Sequence, residues 1–253
     1  MKKWLGKIIN KAGYTVTRSN DLLQEYRFDT EFMELHALCS PYTMTSVERM
    51  YSLYEATKYI LNNGIKGDFV ECGVWRGGSP MLVAKMLQNR NIRDRKIYLY
   101  DTFEGMPAPT DMDFDYRGRD ADKLLKENIH QKETSVWCLA DLREVTYNMG
   151  LTGYPKENII YVEGKVEDTI PSTIPDGPIA ILRLDTDWYE STWHELVHLY
   201  PMLIEKGVLI IDDYGHWEGC RKAVDEYFAK EKVGMLLHRI DYTGRIGIKM
   251  KSE

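Results

Sequence analysis

Cysteine is scarce in the 253-residue chain and widely spaced. Cys39, Cys72, Cys138 and Cys220 form no CxxC pair. That argues against a disulfide scaffold and suits reduced thiols in the cytoplasm. Positive charge is also in the minority, with 33 Lys and Arg against 39 Asp and Glu, a net −6. A broad basic footprint for nucleic acid is therefore not expected. No apolar run approaches the roughly 20 residues that a membrane-spanning helix needs. Residues 1–13 have neither the long apolar stretch nor the small-residue cleavage site of a secretory signal. They suit a short basic amphipathic helix, with Trp4, Leu5, Ile8 and Ile9 on one face. Such a helix would cover the core or a partner subunit, which points to a homo-oligomer; membrane-surface binding is the alternative. Internal repeats and low-complexity linkers are lacking too.

What is present is an alternation. Residues 45–62 read as an amphipathic helix with Thr45 or Ser46 as its cap, ending at Asn63-Gly64. Apolar runs follow at 67–73, 96–102, 158–164, 179–185 and 207–213, with helical stretches at 79–90, 188–205 and 217–231. That order implies a parallel sheet with helices on both faces. Residues 233–240 and 244–250 read as an antiparallel pair around a tight turn at the sheet edge. The expected organisation is effectively one α/β domain: a helical cap over 1–62, then 63–253 with a lid at 103–157. The loop-like start of that lid, 104–120, is long for a compact domain and suits a binding role.

Each expected strand ends in acid: Glu71, Asp101, Glu163, Asp185 and the pair Asp212-Asp213. In an open parallel sheet these ends share one edge, and ligands bind where strand order reverses. Capping of the next helix is the plainer explanation of any single acid, but a whole row points to a site. The turn Gly73–Ser79 lets backbone approach a ligand and presents helix N-terminal N–H groups, yet it is neither GxGxxG nor a P-loop. Asp101, about 30 residues further on, can accept both ribose hydroxyls of an adenosine-containing ligand. Neighbouring strands lie about 4.8 Å apart. Asp185, Asp187, Asp212 and Asp213 would therefore repel one another unless a cation sits among them, and all-oxygen donors suit Mg²⁺.

His194-Glu195-Leu196-Val197-His198 matches the HExxH zinc signature. The helix carrying it must cover the sheet, and the α/β order around it is not that of a zinc protease, so packing is the preferred reading.

The segments FVECGVWRGGS (69–79), YDTFEGMP (100–107), GYPKENIIYVEGKVEDTIP (153–171), RLDTDWYEST (183–192) and LIIDDYGHWEGCRKAVDEYF (209–228) resemble the macrocin O-methyltransferase (TylF-type) family. Members methylate sugar hydroxyls with S-adenosylmethionine and Mg²⁺. The resemblance implies the class I methyltransferase Rossmann-like fold, a mostly parallel seven-stranded sheet with a reversed last strand. It places Glu71, Gly73, Trp75 and Ser79 along the amino-acid part of the cofactor. Asp101 would bind the ribose, with Thr102 and Phe103 nearby, and Gly164, Val166 and Glu167 would border the adenine. Asp185 would lie against the cofactor and, with Asp212 and Asp213, hold Mg²⁺. Asp187 would be the general base, while Thr45 and Arg49 are candidates for lesser roles. Trp188, Tyr189, His216 and Trp217 would flank the acceptor, and Tyr116, Trp137, Tyr147 and Tyr154 would close over it. The expected acceptor is a sugar-containing small molecule, such as a deoxysugar of a secondary metabolite. The rivals are a catechol or other vicinal diol as acceptor, nicotinamide chemistry, and an idle cofactor-binding module.

Overall fold

The computed structural model describes residues 25–131 and 136–251. The expected helix at 1–13 lies outside them. The chain divides into two compact units, one ending at Glu34 and the other running Leu35–Glu253. In the first, the edges of Tyr26 and Phe32 meet at a ring separation of 6.0 Å. Helix α1 is Thr30–Cys39.

The second unit is built on seven strands in the order β3-β2-β1-β4-β5-β7-β6. These are β1 (Asp68–Cys72), β2 (Ile97–Asp101), β3 (Ile159–Glu163), β4 (Ile179–Leu184), β5 (Leu203–Ile211), β6 (His238–Arg239) and β7 (Arg245–Ile248). The first five pair in parallel and β7 runs antiparallel to both β5 and β6. β4 is buried along its whole length, as a strand covered on both faces must be. Strand order grows outward from β1 towards β3, then restarts on the other side with β4. The tips of β1 and β4 therefore border the crevice that this topology offers to ligands.

The helices follow their sequence signals. α2 (Val47–Asn62) starts at Ser46, whose hydroxyl accepts the Arg49 N–H, and buries Met50, Leu53, Tyr54, Thr57 and Ile60 at three- and four-residue spacing. α3 (Gly78–Asn89) leaves the glycine turn. Within the 103–157 segment lie α4 (Ala121–Glu127) and α5 (Leu142–Gly150). α6 (Val166–Thr169) is a single turn, and α7 (Tyr189–Leu199) and α8 (Glu218–Lys230) cover the β4–β5 side. Fully buried Leu209 and Ile211 on β5 each contribute about 1.5–3 kcal/mol of burial.

The helix expected to reach residue 205 stops at Leu199. Pro201 follows in a 3₁₀ turn, Tyr200–Met202, and β5 begins at once. Lys249 Nζ on the sheet edge donates to the freed carbonyls of Tyr200 (3.0 Å) and Leu203 (2.7 Å), which stabilises the early stop. Among the described residues no helix is long and apolar enough to cross a membrane.

Candidate active site

A cavity of about 390 Å³ opens over the tips of β1, β2, β4 and β5. Close backbone approach shapes it. Gly73 has φ 79°, and a Cβ there would lie 2.1 Å from the Asp185 carbonyl oxygen. Only glycine lets the β1 and β4 tips meet so tightly. The turn beyond it is held from β2: Asp101 Oδ2 accepts the Val74 N–H at 2.7 Å and the Trp75 N–H at 3.2 Å, and Oδ1 accepts the Phe103 N–H at 2.8 Å. Burial pushes the Asp101 carboxyl up, against the pull of these backbone donors. These three backbone donors fix the Asp101 carboxylate in the cavity wall.

Of the expected cofactor residues, Glu71, Gly73, Trp75, Ser79, Asp101, Thr102, Gly164, Val166, Glu167 and Asp185 all line this cavity. Phe103 instead sits in the core and serves the site through its backbone N–H alone. Glu167 Oε1 accepts the Ser191 hydroxyl at 2.7 Å, fixing α6 against α7.

The acids converge as their strand positions require. Asp185, Asp187 and Asp213 each bring a carboxylate oxygen within 4.8 Å of the others. Asp212, expected as a ligand in place of Asp187, is turned elsewhere. Its Oδ1 accepts Arg183 Nη2 at 2.6 Å, and its Oδ2 pairs with Arg49 Nη1. Both residues lie beyond the last residue of β5, Ile211, where the chain bends: Asp212 meets the arginines while Asp213 meets the other acids.

Arg183 organises this side, and the sequence reading overlooked it. Only 2% exposed, it donates from Nη1 to Glu71 Oε1 and Asp185 Oδ2, each at 2.7 Å, and from Nη2 to Thr45 Oγ1 at 3.0 Å as well as to Asp212. The signal was one charge inside an otherwise apolar strand, IAILRL, because an arginine buried there must be paired. Arg49 extends the network to Asp241 at 3.1 Å.

Electrostatics follow from crowding and burial. Desolvation pushes Glu71 up to about 7 despite the attraction of Arg183. Asp187 is likewise pushed up to about 7 by burial and by the charges of Asp185 and Asp212. Asp185 and Asp213 are raised well above the usual range for the same reasons. Asp213 Oδ2 is buried with no hydrogen-bond partner. Three converging carboxylates, an unpartnered oxygen on Asp213 and an excess of carboxylates over guanidiniums fit a hard divalent cation.

Asp187 stands at φ 68°, an uncommon conformation for a non-glycine residue. It does not cap α7. The first helical N–H, at Tyr189, donates instead to Asp113 Oδ1 at 2.8 Å, from the segment expected to be loop. That substitute cap leaves the Asp187 carboxylate for the cavity. Trp188 and Trp217 pack edge to face with centroids 4.8 Å apart and are buried, so packing dominates for both. Tyr154 is buried and donates to the Arg95 carbonyl at 2.6 Å, and Trp137 Nε1 donates to the Leu125 carbonyl at 2.7 Å. Neither hangs over the site as a closing flap. The HExxH residues have separate partners: His194 Nε2 meets the Ile170 carbonyl at 2.8 Å, and buried Glu195 accepts the Thr186 hydroxyl at 3.0 Å.

Residues 9–246 match the family model for macrocin-O-methyltransferase (TylF). Demethyldecarbamoylnovobiocin O-methyltransferase of Streptomyces niveus is 35% identical over 203 residues, 80% of this chain and 74% of that protein. The 8-demethyl-8-(2,3-dimethoxy-alpha-L-rhamnosyl)-tetracenomycin-C 4'-O-methyltransferase of Streptomyces olivaceus is 34% identical over the same shares. The solved structure of the O-methyltransferase NovP superposes with a TM-score of 0.72 at 32% identity, covering 83% of each chain. The chain therefore belongs to the macrocin-O-methyltransferase family, has the class I O-methyltransferase fold, and is an O-methyltransferase.

Proposed function

We propose that the protein transfers a methyl group from S-adenosylmethionine to a sugar hydroxyl of a glycosylated small molecule, with Mg²⁺ at the acid cluster. The supporting observation is one cavity lined both by the expected cofactor residues and by Asp185, Asp187 and Asp213. The family membership and the sugar named for the Streptomyces olivaceus relative point the same way.

The cofactor supplies an electrophilic methyl on sulfur, so the protein's task is alignment and activation of the nucleophile. Asp101 and the Gly73–Ser79 turn would hold the nucleoside and amino-acid parts. Asp185 and Asp213 would hold the cation, which when bound lowers the pKa of a hydroxyl beside it. Asp212 would join them only by releasing Arg49. Asp187, with its capping duty taken by Asp113, would accept the hydroxyl proton at its carboxylate as the oxygen attacks. The Arg183 network would set Asp185 from behind and pairs with Glu71 and Asp212 in a buried wall.

The test is methyl transfer from S-adenosylmethionine to a panel of glycosides and catechols, read by mass spectrometry with Mg²⁺ or with EDTA. Transfer to a glycoside hydroxyl that EDTA removes supports the proposal. Transfer confined to catechols, or unaffected by EDTA, defeats it.

A further inference from the structure

Three rings crowd the rim of the cavity outside the acid cluster. His216 and Tyr242 line the cavity itself. Tyr116 meets His216 at 5.3 Å and Tyr242 at 5.9 Å between centroids, and His216 meets Tyr242 at 5.9 Å. Tyr116 is 48% exposed and Tyr242 52%, so both side chains stand partly open to solvent beside the site. The Arg117 guanidinium lies 5.0 Å from the Tyr116 ring centre.

These rings are held firmly. Tyr116 sits in a tight turn organised by the fully buried Asp115. Oδ1 of Asp115 accepts the N–H groups of Arg117 and Arg119, both at 2.9 Å, and Oδ2 accepts Arg119 Nε at 2.7 Å. A bridge between Asp115 and Trp217 pins that turn to the start of α8. Tyr242 sits in a second turn, where Asp241 Oδ1 accepts the N–H groups of Thr243 (2.9 Å) and Gly244 (2.7 Å). Between them, His216 Nδ1 and the Tyr242 hydroxyl lie 3.0 Å apart. Ordered side chains cost a ligand little entropy when it packs on them.

His216 lies three residues beyond Asp213, and its N–H donates to the Asp213 carbonyl at 2.9 Å. The aromatic rim thus adjoins the acids. For a sugar whose hydroxyl reaches those acids, the rim is an adjoining surface against which a glycosidic substituent packs. Partly exposed tyrosine rings favour flat ring systems, by offset stacking or edge contact.

We propose that Tyr116, His216 and Tyr242 form a subsite for an aryl or fused-ring aglycone carried on the methylated sugar. The proposal rests on the sugar-methylation reading above and adds the chemistry of the acceptor's other half. Tyr116 is its diagnostic residue, because it belongs to the rim and stands apart from the acids and the cofactor wall.

The test titrates 4-nitrophenyl α-L-rhamnopyranoside and methyl α-L-rhamnopyranoside into full-length protein loaded with S-adenosylhomocysteine and Mg²⁺, followed by calorimetry. The wild type should bind the aryl glycoside roughly tenfold more tightly, the scale of one ring contact plus its buried area. Tyr116→Ala should erase that preference, and Tyr116→Phe should keep it. Circular dichroism of both variants verifies that the fold is intact. Equal affinity for the two glycosides, no binding of either, or a preference that survives in Tyr116→Ala would each overturn the subsite. Aryl preference lost in Tyr116→Ala, with no methyl transferred to any sugar hydroxyl in the parallel assay, would uphold the subsite and count against the sugar-methylation reading alone.

Discussion

Replacing Arg183 by Met should destabilise the protein, and the loss should grow with pH. The guanidinium is buried and pairs with Glu71, Asp185 and Asp212 at 2.6–2.7 Å. Met fills similar volume but leaves these carboxylates without their counter-charge. Removing one partner from a buried ion pair costs about 3–5 kcal/mol. For a unit of this size each kcal/mol moves the melting temperature by about 2–4 °C, so the expected drop is about 6–20 °C. The pH dependence has a definite sign. Glu71 titrates near 7 in the folded protein, above the ordinary 4.5. Between those values the folded state binds more protons than the unfolded chain, so stability falls as pH rises through that window. Without Arg183 the Glu71 carboxyl moves higher still, and the window extends upward. The deficit of Arg183→Met relative to wild type should therefore be smaller near pH 5 than near pH 8. Thermal melts by circular dichroism in EDTA at both values give the comparison. A variant melting within about 2 °C of wild type near pH 8, or a deficit no larger there than near pH 5, would refute this account of the network.

Further outcomes follow from the site. Gly73→Ala drives a Cβ to 2.1 Å from the Asp185 carbonyl at φ 79°, which should cost about 2–6 kcal/mol in urea denaturation; Gly64→Ala, with nothing within 4 Å of its Cβ, should cost only about 1 kcal/mol. Asp187→Asn should lower kcat for methyl transfer by about 10²–10⁴-fold with cofactor affinity retained. In EDTA above pH 7 the same variant should melt higher than wild type, because a carboxyl held near 7 loses stability as it ionises.

Much of the fold could be read from the chain because each strand announces itself. Short runs such as FVEC and IYLYD are apolar on both faces, as strands buried between two helix layers must be. Acid at each strand end located the crevice, since topology alone brings those ends together. What stayed hidden depended on partners far away in sequence. Arg183 was visible as an odd charge in β4, but nothing local said that Glu71, 112 residues earlier, would accept from it. Asp113 caps α7 from 76 residues away, so the apparent local cap, Asp187, was ambiguous until both were placed. Asp212 and Asp213 are equivalent on paper; only the geometry at the end of β5 sends one to the arginines and the other to the acids. The end of α7 at Leu199 was legible in Pro201, whose weight as a breaker was underestimated.

The central claim is that Asp185 and Asp213 would hold one divalent cation beside Asp187, the proposed base. Its most direct test is a calorimetric titration of Mg²⁺ into the metal-free protein and into Asp213→Asn. Binding of about one ion per chain by the wild type, lost or much weakened in the variant, is the result predicted from an unpartnered Asp213 oxygen among raised acids. No saturable heat with the wild type, or the same isotherm for both proteins, would contradict it.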